Sequence, residues 1–145
     1  MINTDTVLKS YGFGIEMSYL LPNNFTISGN ISSDALYDVP DNLVTNFNAP
    51  KYRTNISIAN SGIDSKKRWS FATSWHWQES FLYESQFVNG ILPAYHNIDA
   101  QISYKINKSK IKLGATNLLN YYYRNGLGNS NIGGTYYISY IIDVL

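Results

Sequence analysis

Residues 69–78 read WSFATSWHWQ, so Trp69, Phe71, Thr73, Trp75 and Trp77 alternate with Ser70, Ala72, Ser74, His76 and Gln78. Successive side chains of a strand point to opposite sides, and the stretch therefore predicts a β-strand with one apolar and one polar face. Indoles stand at both ends of the apolar face. Trp69 and Trp77 lie eight residues apart, or about 20 Å at roughly 3.3 Å per residue and a tilt near 40°, close to the apolar height of a membrane barrel. Amphipathic rings settle at the headgroup level. A strand that faces lipid needs rings at both ends of an apolar stretch, and this one has them.

The same alternation recurs along the chain. Tyr11, Phe13, Ile15, Met17, Tyr19 and Leu21 oppose Gly12, Gly14, Glu16 and Ser18. A second segment runs from Phe25 to about Tyr37 and a third from Tyr52 to Asn60, with Trp69–Gln78 the fourth. In the fifth, Ile98, Ala100, Ile102, Tyr104 and Ile106 alternate with Asn97, Asp99, Gln101, Ser103 and Lys105. The sixth covers Lys110 to about Asn117. The seventh, from Thr135 to the C-terminus, sets Tyr136, Ile138, Tyr140, Ile142 and Val144 against Ser139 and Asp143. Turn signals such as Pro22-Asn23-Asn24 and Asn107-Lys108-Ser109 separate them. Connections after the first, third and fifth segments are short. Those after the second, fourth and sixth exceed ten residues, the fourth-to-fifth one being read as a loop over Glu79–Ala94. Outer-membrane barrels alternate short periplasmic turns with long extracellular loops. The expected fold class is all-β: an antiparallel up-and-down meander of about seven strands, part of a large transmembrane β-barrel. Trp69, Trp75, Trp77, Tyr104, Tyr136 and Tyr140 are its expected membrane-interface aromatics. On this assignment Ile102→Lys is costly and Ser103→Lys nearly neutral.

Composition agrees. The 145 residues include thirteen Tyr, six Phe and three Trp, and 14% are charged, against roughly 25% in an ordinary soluble domain. A net charge of +1 gives no reason to expect nucleic acid as a partner. No apolar run reaches 18 residues, so no transmembrane helix is expected. The first residues, MINTDTVLKSYG, show neither a basic n-region nor an apolar h-region. The leader that an outer-membrane barrel requires is then either already removed or carried by a longer protein.

The last third, LGATNLLNYYYRNGLGNSNIGGTYYISYIIDVL from Leu113, resembles the C-terminal end of TonB-dependent outer-membrane receptors, most closely the SusC/RagA branch of nutrient importers. Leu113 to Asn120, Tyr123-Arg124 and Gly133-Gly134 carry the resemblance. NAPKYRTNISIAN from Asn48 and LPAYHNIDAQISYKI from Leu92 extend it over most of the chain after Asn48. The ending Asp143-Val144-Leu145 departs from the terminal aromatic of many members, so the family's pattern places the true C-terminus slightly beyond Leu145. The resemblance implies a plugged barrel of about 22 strands, of which residues 11–145 form a C-terminal segment and residues 1–10 a flexible lead or partial strand. It implies a bacterial outer-membrane location and import of a bulky nutrient: an oligosaccharide, a peptide or a metal chelate. Its partners are outer-membrane lipid, the plug and remaining strands, the TonB system through the missing N-terminal part, and a surface lipoprotein. Seven strands alone are not transport-competent.

Nothing points to catalysis or to a cofactor. His76 and His96 lack metal-ligand spacing and read as solvated lumen or loop residues. No nucleophile elbow or phosphate loop is present, and Gly126 to Gly134 has no following helix. Binding chemistry gathers in the long connections, where Tyr83, Tyr121, Tyr122, Tyr123 and Arg124 are the candidate ligand-contacting residues. Aromatic faces stack on rings and arginine pairs with carboxylates; packing of loop on loop is the plainer role for the same side chains. Two other classes fit the pattern. One is a self-contained eight-stranded outer-membrane barrel, structural or adhesive, with residues 1–10 adding a strand. The other is a soluble barrel that turns its apolar face inward onto a lipophile.

Overall fold

A computed structural model of the chain describes residues 7–40 and 43–142. Nine strands are present among them: β1 (Lys9–Leu21), β2 (Phe25–Tyr37), β3 (Tyr52–Asn60), β4 (Trp69–Gln78), β5 (Phe81–Glu84), β6 (Asn89–Leu92), β7 (Tyr95–Ile106), β8 (Ser109–Thr116) and β9 (Thr135–Ile142). Seven form one antiparallel sheet in the order β1-β2-β3-β4-β7-β8-β9. This is the expected meander. Of the expected lead over residues 1–10, residues 1–6 lie outside the described residues, as does the reach of the last strand to Val144, while Lys9 and Ser10 begin β1. Two expectations are corrected. The Glu79–Ala94 connection is not all loop, because β5 and β6 pair within it as a small hairpin. The strand after it starts at Tyr95 rather than Asn97.

Every pairing ladder keeps the same parity, so one alternate set of side chains forms a single face from edge to edge. One row runs Tyr19, Ile27, Ile58, Thr73, Ala100, Ala115, Tyr136; the row two residues on in β1 runs Leu21, Phe25, Asn60, Phe71, Ile102, Leu113, Ile138. The face these rows make is apolar and uncovered. Met17 is 69% exposed and Ile138 74%. Among the described residues only Leu92 and Ala115 are buried hydrophobics, so the apolar face encloses no core. A contiguous exposed apolar surface of this kind marks contact with lipid or a partner.

The aromatic positions resolve into two belts, one of which runs obliquely to the rows. The long-loop belt starts at Tyr11 on β1, passes Phe13 and Tyr52, then Trp77 and Trp75, and reaches Tyr136 on β9. Tyr136 shares its row with Tyr19, not Tyr11. The belt thus slips from residue 11 to residue 19, eight residues, across six strand gaps. At about 3.3 Å per residue and about 4.8 Å per gap, that slip corresponds to a strand tilt of about 42°. Barrel strands in membranes tilt by roughly 35–45°. The opposite belt holds Trp69, Tyr104 and Tyr140, which share one row, with Trp69 packed on Tyr104 at 4.5 Å between ring centres and Tyr140 sharing a 2.9 Å hydrogen bond with Ser109. The spacing Tyr11–Tyr19 on β1 repeats the spacing Trp69–Trp77 on β4. Two strands distant in the sheet therefore measure the same apolar height.

The other face is polar, and its side chains bond across strands. Ser28 and Ser57 meet at 2.6 Å, Ser70 and Ser103 at 2.7 Å. Arg53 bridges Ser32 at 3.0 Å and Asp34 at 2.5 Å. His76 lies here, half-buried, with one ring nitrogen on the Asn55 amide oxygen and the other 3.1 Å from Asp99. His96 differs from expectation. Its parity places it on the apolar face at the long-loop rim, paired with Trp77 and edge-on to Tyr121.

Short turns are closed by residues that tolerate left-handed backbone: Asn23 and Asn24 between β1 and β2, and Asn107 between β7 and β8, all at positive φ. Between β3 and β4, Asp64 holds the turn by accepting the backbone N–H of Trp69 at 2.9 Å and pairing with the Arg68 guanidinium at 3.0 Å.

Candidate functional site

The three long connections, residues 38–51, 79–94 and 117–134, emerge at one end of the sheet, the first two bonded to each other and the last packed on the second. Glu84 of β5 accepts the Thr45 backbone N–H at 3.0 Å and its hydroxyl at 2.9 Å. Asn48 and the Glu84 backbone exchange two more bonds, at 2.8 and 2.7 Å. The hairpin also meets the last connection. A Cβ on Gly126 would come within 3.2 Å of the Tyr83 ring, and one on Gly90 within 3.0 Å of Leu127. The loops thus form one tied assembly.

Within it lies a cleft of about 410 Å³. Ile91, Leu92, Pro93 and Ala94 form one wall; Tyr95, Tyr122, Tyr123, Arg124, Leu127 and Asn131 form the rest. Tyr123 stacks on Tyr95 with ring centres 4.0 Å apart, and its hydroxyl accepts a long 3.5 Å contact from Asn97. Its backbone is fixed by an antiparallel bridge, Tyr123 and Ile132 exchanging N–H donors at 3.2 and 2.7 Å. Arg124 donates from Nε to Asn131 at 2.7 Å, which orients the guanidinium at the cleft wall. Two aromatic faces and an oriented cation suit a ring-bearing or carboxylate-bearing ligand.

The five residues expected from sequence are not all together. Tyr122, Tyr123 and Arg124 line the cleft. Tyr121 turns toward His96 on the apolar side, 6.1 Å between ring centres, and Asn117 clasps its backbone with bonds of 2.7 and 3.2 Å. Tyr83 packs on Gly126 and joins hairpin to loop. Tyr95 and the Ile91–Ala94 wall escape a reading of the sequence, because a stretch taken as the end of a loop offers no alternation. Leu92 at 1% exposure is the anchor of that wall.

A second hollow, about 350 Å³, lies between residues 45–51 and β5, where Asp34, Lys51, Glu79 and Glu84 gather. One carboxylate oxygen of Glu79 is buried there with no hydrogen-bond partner. Among the described residues no three acids, histidines or cysteines are placed to hold a metal ion.

Comparison with solved structures gives the fold its relatives. A chain of the FpvAI–pyocin S2 complex superposes with a TM-score of 0.72 at 13% identity, over 91% of this chain and 19% of that one. The shared fold is an antiparallel β-barrel wall. The FrpB iron transporter from Neisseria meningitidis superposes at 0.63 and 12% identity, over 91% of this chain and 24% of its own length. The chain thus spans about a fifth to a quarter of the receptor chains it matches. No family model and no curated protein matches the sequence. In a transmembrane barrel an apolar outer face meets lipid and a polar inner face lines the lumen.

Proposed function

We propose that the chain is a C-terminal wall segment of a TonB-dependent outer-membrane receptor, in the SusC/RagA-like branch, that imports a bulky nutrient. The observation that carries this is the pair of aromatic belts bounding one continuous apolar face, capped at one end by tied long loops with an aromatic cleft. The barrel fold shared with two receptor chains supports it. On this reading the wall sits in the outer membrane, and a plug, the remaining strands, the TonB system and a surface lipoprotein complete the machine. The segment contributes shape and binding rather than catalysis.

Tyr122, Tyr123 and Arg124 then make first contact with a ligand that carries both a ring and an anionic group: an acidic oligosaccharide, a peptide or a metal chelate. FrpB is described as an iron transporter, which keeps the chelate among these. The deciding experiment reads the genomic DNA upstream of Met1. An in-frame plug-encoding sequence is expected. A stop codon followed by a separate leader would overturn the receptor reading and leave the self-contained small barrel. For the cleft, Tyr123→Ala and Arg124→Ala in the intact protein should reduce nutrient uptake about tenfold each, as expected for the loss of a contact of about 1.4 kcal/mol, with surface abundance unchanged. Uptake unaffected by either substitution would remove the cleft from the ligand's path.

A further inference from the structure

The opposite end of the sheet carries a charge pattern that the import reading does not use. Six of the chain's eleven lysines and arginines gather at the short turns: Lys66, Lys67 and Arg68 between β3 and β4, Lys105 ending β7, Lys108 in the next turn and Lys110 starting β8. Among the described residues Asp64 is the one acid there, and it pairs with Arg68. Lys66, Lys67 and Lys105 are exposed and face no described carboxylate.

These cations do not stand apart from the apolar face. Arg68 lies over the Tyr104 ring, 5.6 Å from its centre, and Tyr104 packs on Trp69. A hollow of about 420 Å³ is lined by the cations Lys66, Lys67, Arg68 and Lys105 and by the apolar-face residues Tyr104 and Ile106. Part of its lining is cationic and part is continuous with the lipid-facing surface. We propose that this hollow seats the phosphate headgroup of an anionic phospholipid, its acyl chain running along Ile106, Tyr104 and Trp69. An acidic protein would use the cations but has no need of an apolar wall that continues into the membrane. Juxtamembrane lysines and arginines are drawn to anionic headgroups, and aromatic belts mark the depth at which those headgroups lie. The inference rests on the membrane-wall reading, and its test separates the two.

Trp69 is a built-in reporter. In the full chain carrying Trp75→Phe and Trp77→Phe, Trp69 is the sole indole, and acyl-brominated lipid quenches it on contact. The protein, reconstituted in mixed micelles, is titrated with brominated phosphatidylglycerol and, separately, brominated phosphatidylcholine. Both should quench, and phosphatidylglycerol should do so at lower lipid fraction. Each of Lys66→Gln, Lys67→Gln and Lys105→Gln should reduce that preference about fivefold at low salt. The preference should vanish near 1 M salt, where the Debye length is about 3 Å. All three positions are exposed, so the fold should survive, and a circular dichroism spectrum confirms that it does.

Equal quenching by the two lipids, or a preference that persists when Lys66→Gln, Lys67→Gln and Lys105→Gln are combined in one chain, overturns the headgroup site while leaving the membrane wall intact. Absence of quenching by either lipid overturns the membrane wall itself. Inorganic phosphate at matched ionic strength should not compete; if it abolishes the preference, the ligand is a free anion. If polyglutamate displaces the lipid from the wild-type chain, the surface belongs to an acidic protein and the assignment to lipid falls.

Discussion

The two aromatic belts predict how a lysine's cost depends on depth. Thr73 stands on the apolar face of β4, four residues from Trp69 and four from Trp77, so each belt is about 10 Å away along the membrane normal at about 3.3 Å per residue and a 40° tilt. Ile102, in the neighbouring strand, lies two residues from Tyr104, or about 5 Å from the short-turn belt. A lysine stem reaches about 6 Å, so a lysine in place of Ile102 would carry its ammonium to the headgroups while one in place of Thr73 would not. Midplane lysines on a barrel's lipid face cost about 2–4 kcal/mol, falling to about 0–1 near the interface. We therefore expect Thr73→Lys to cost about 4 kcal/mol, since it also breaks the 3.0 Å bond from Thr73 to the Asp99 carbonyl, and Ile102→Lys to cost about 2. The control is Gln101→Lys on the polar face, which gives up a 3.3 Å bond from the Tyr137 hydroxyl and should stay within about 1 kcal/mol of wild type. Ser103, the obvious control from sequence, is not equivalent: it is 7% exposed, bonded to Ser70 and paired with Lys112, so a lysine there is crowded and repelled. Urea unfolding of the lipid-reconstituted protein, followed by tryptophan fluorescence, reads all three. Equal costs for Ile102→Lys and Gln101→Lys would reverse the assignment of faces, and equal costs for Ile102→Lys and Thr73→Lys would refute the tilt.

Three further outcomes are expected. The Trp69 and Arg68 donors hold the Asp64 carboxyl down at about 2 from 3.8; a depressed carboxylate stabilises the fold fully above its unfolded value, and that contribution fades as pH falls from about 4 toward 2. Carbon-13 NMR of the Asp64 carboxyl should show the low midpoint, and Asp64→Ala should remove this part of the acid sensitivity. Within β1, Gly14→Ala should be neutral or stabilise by up to about 1 kcal/mol, because its Cβ meets nothing within 4 Å. Gly12→Ala places a Cβ 2.5 Å from the Ser33 carbonyl oxygen and should cost about 1–3 kcal/mol; matched melts that rank the two alike would argue against the β1–β2 register. The chain alone in detergent-free buffer should aggregate, since among the described residues β1 and β9 each lack a second neighbour and the apolar face is uncovered. A stable monomer by light scattering would end the membrane reading.

The sheet was legible because a two-residue period survives in every long strand and because turns rich in Asn, Pro and charge interrupt it. The β5–β6 hairpin was not. Phe81-Leu82-Tyr83 is a contiguous apolar run too short to show a period, and the turn is held by Ser85, whose hydroxyl accepts the N–H groups of Phe87 and Val88 at 3.3 and 3.1 Å. His96 could have been placed correctly by counting back two residues from Ile98. In the site, Tyr122 to Arg124 were visible as an aromatic run with a cation. What tethers them was hidden, since it depends on bonds between residues far apart in sequence.

Those tethers connect the cleft to the polar face. Asn30 accepts from Asn55 at 3.0 Å, Asn55 meets His76, and His76 meets Asp99. Asp99 then accepts the backbone N–H of Asn117 at 2.8 Å, and Asn117 clasps Tyr121 at the start of the run that forms the cleft. Each such bond contributes about 0.5–1.5 kcal/mol, and bonds in a chain polarise and strengthen one another. Asp99 is the pivot: one oxygen is committed to the lumen-side histidine and the other to the loop. Loss of that carboxylate releases both at once, so the position of the cleft depends on a polar-face residue of the same strand that carries Tyr95. The polar face thus does more than meet water: one row of its bonds holds the cleft loop in place.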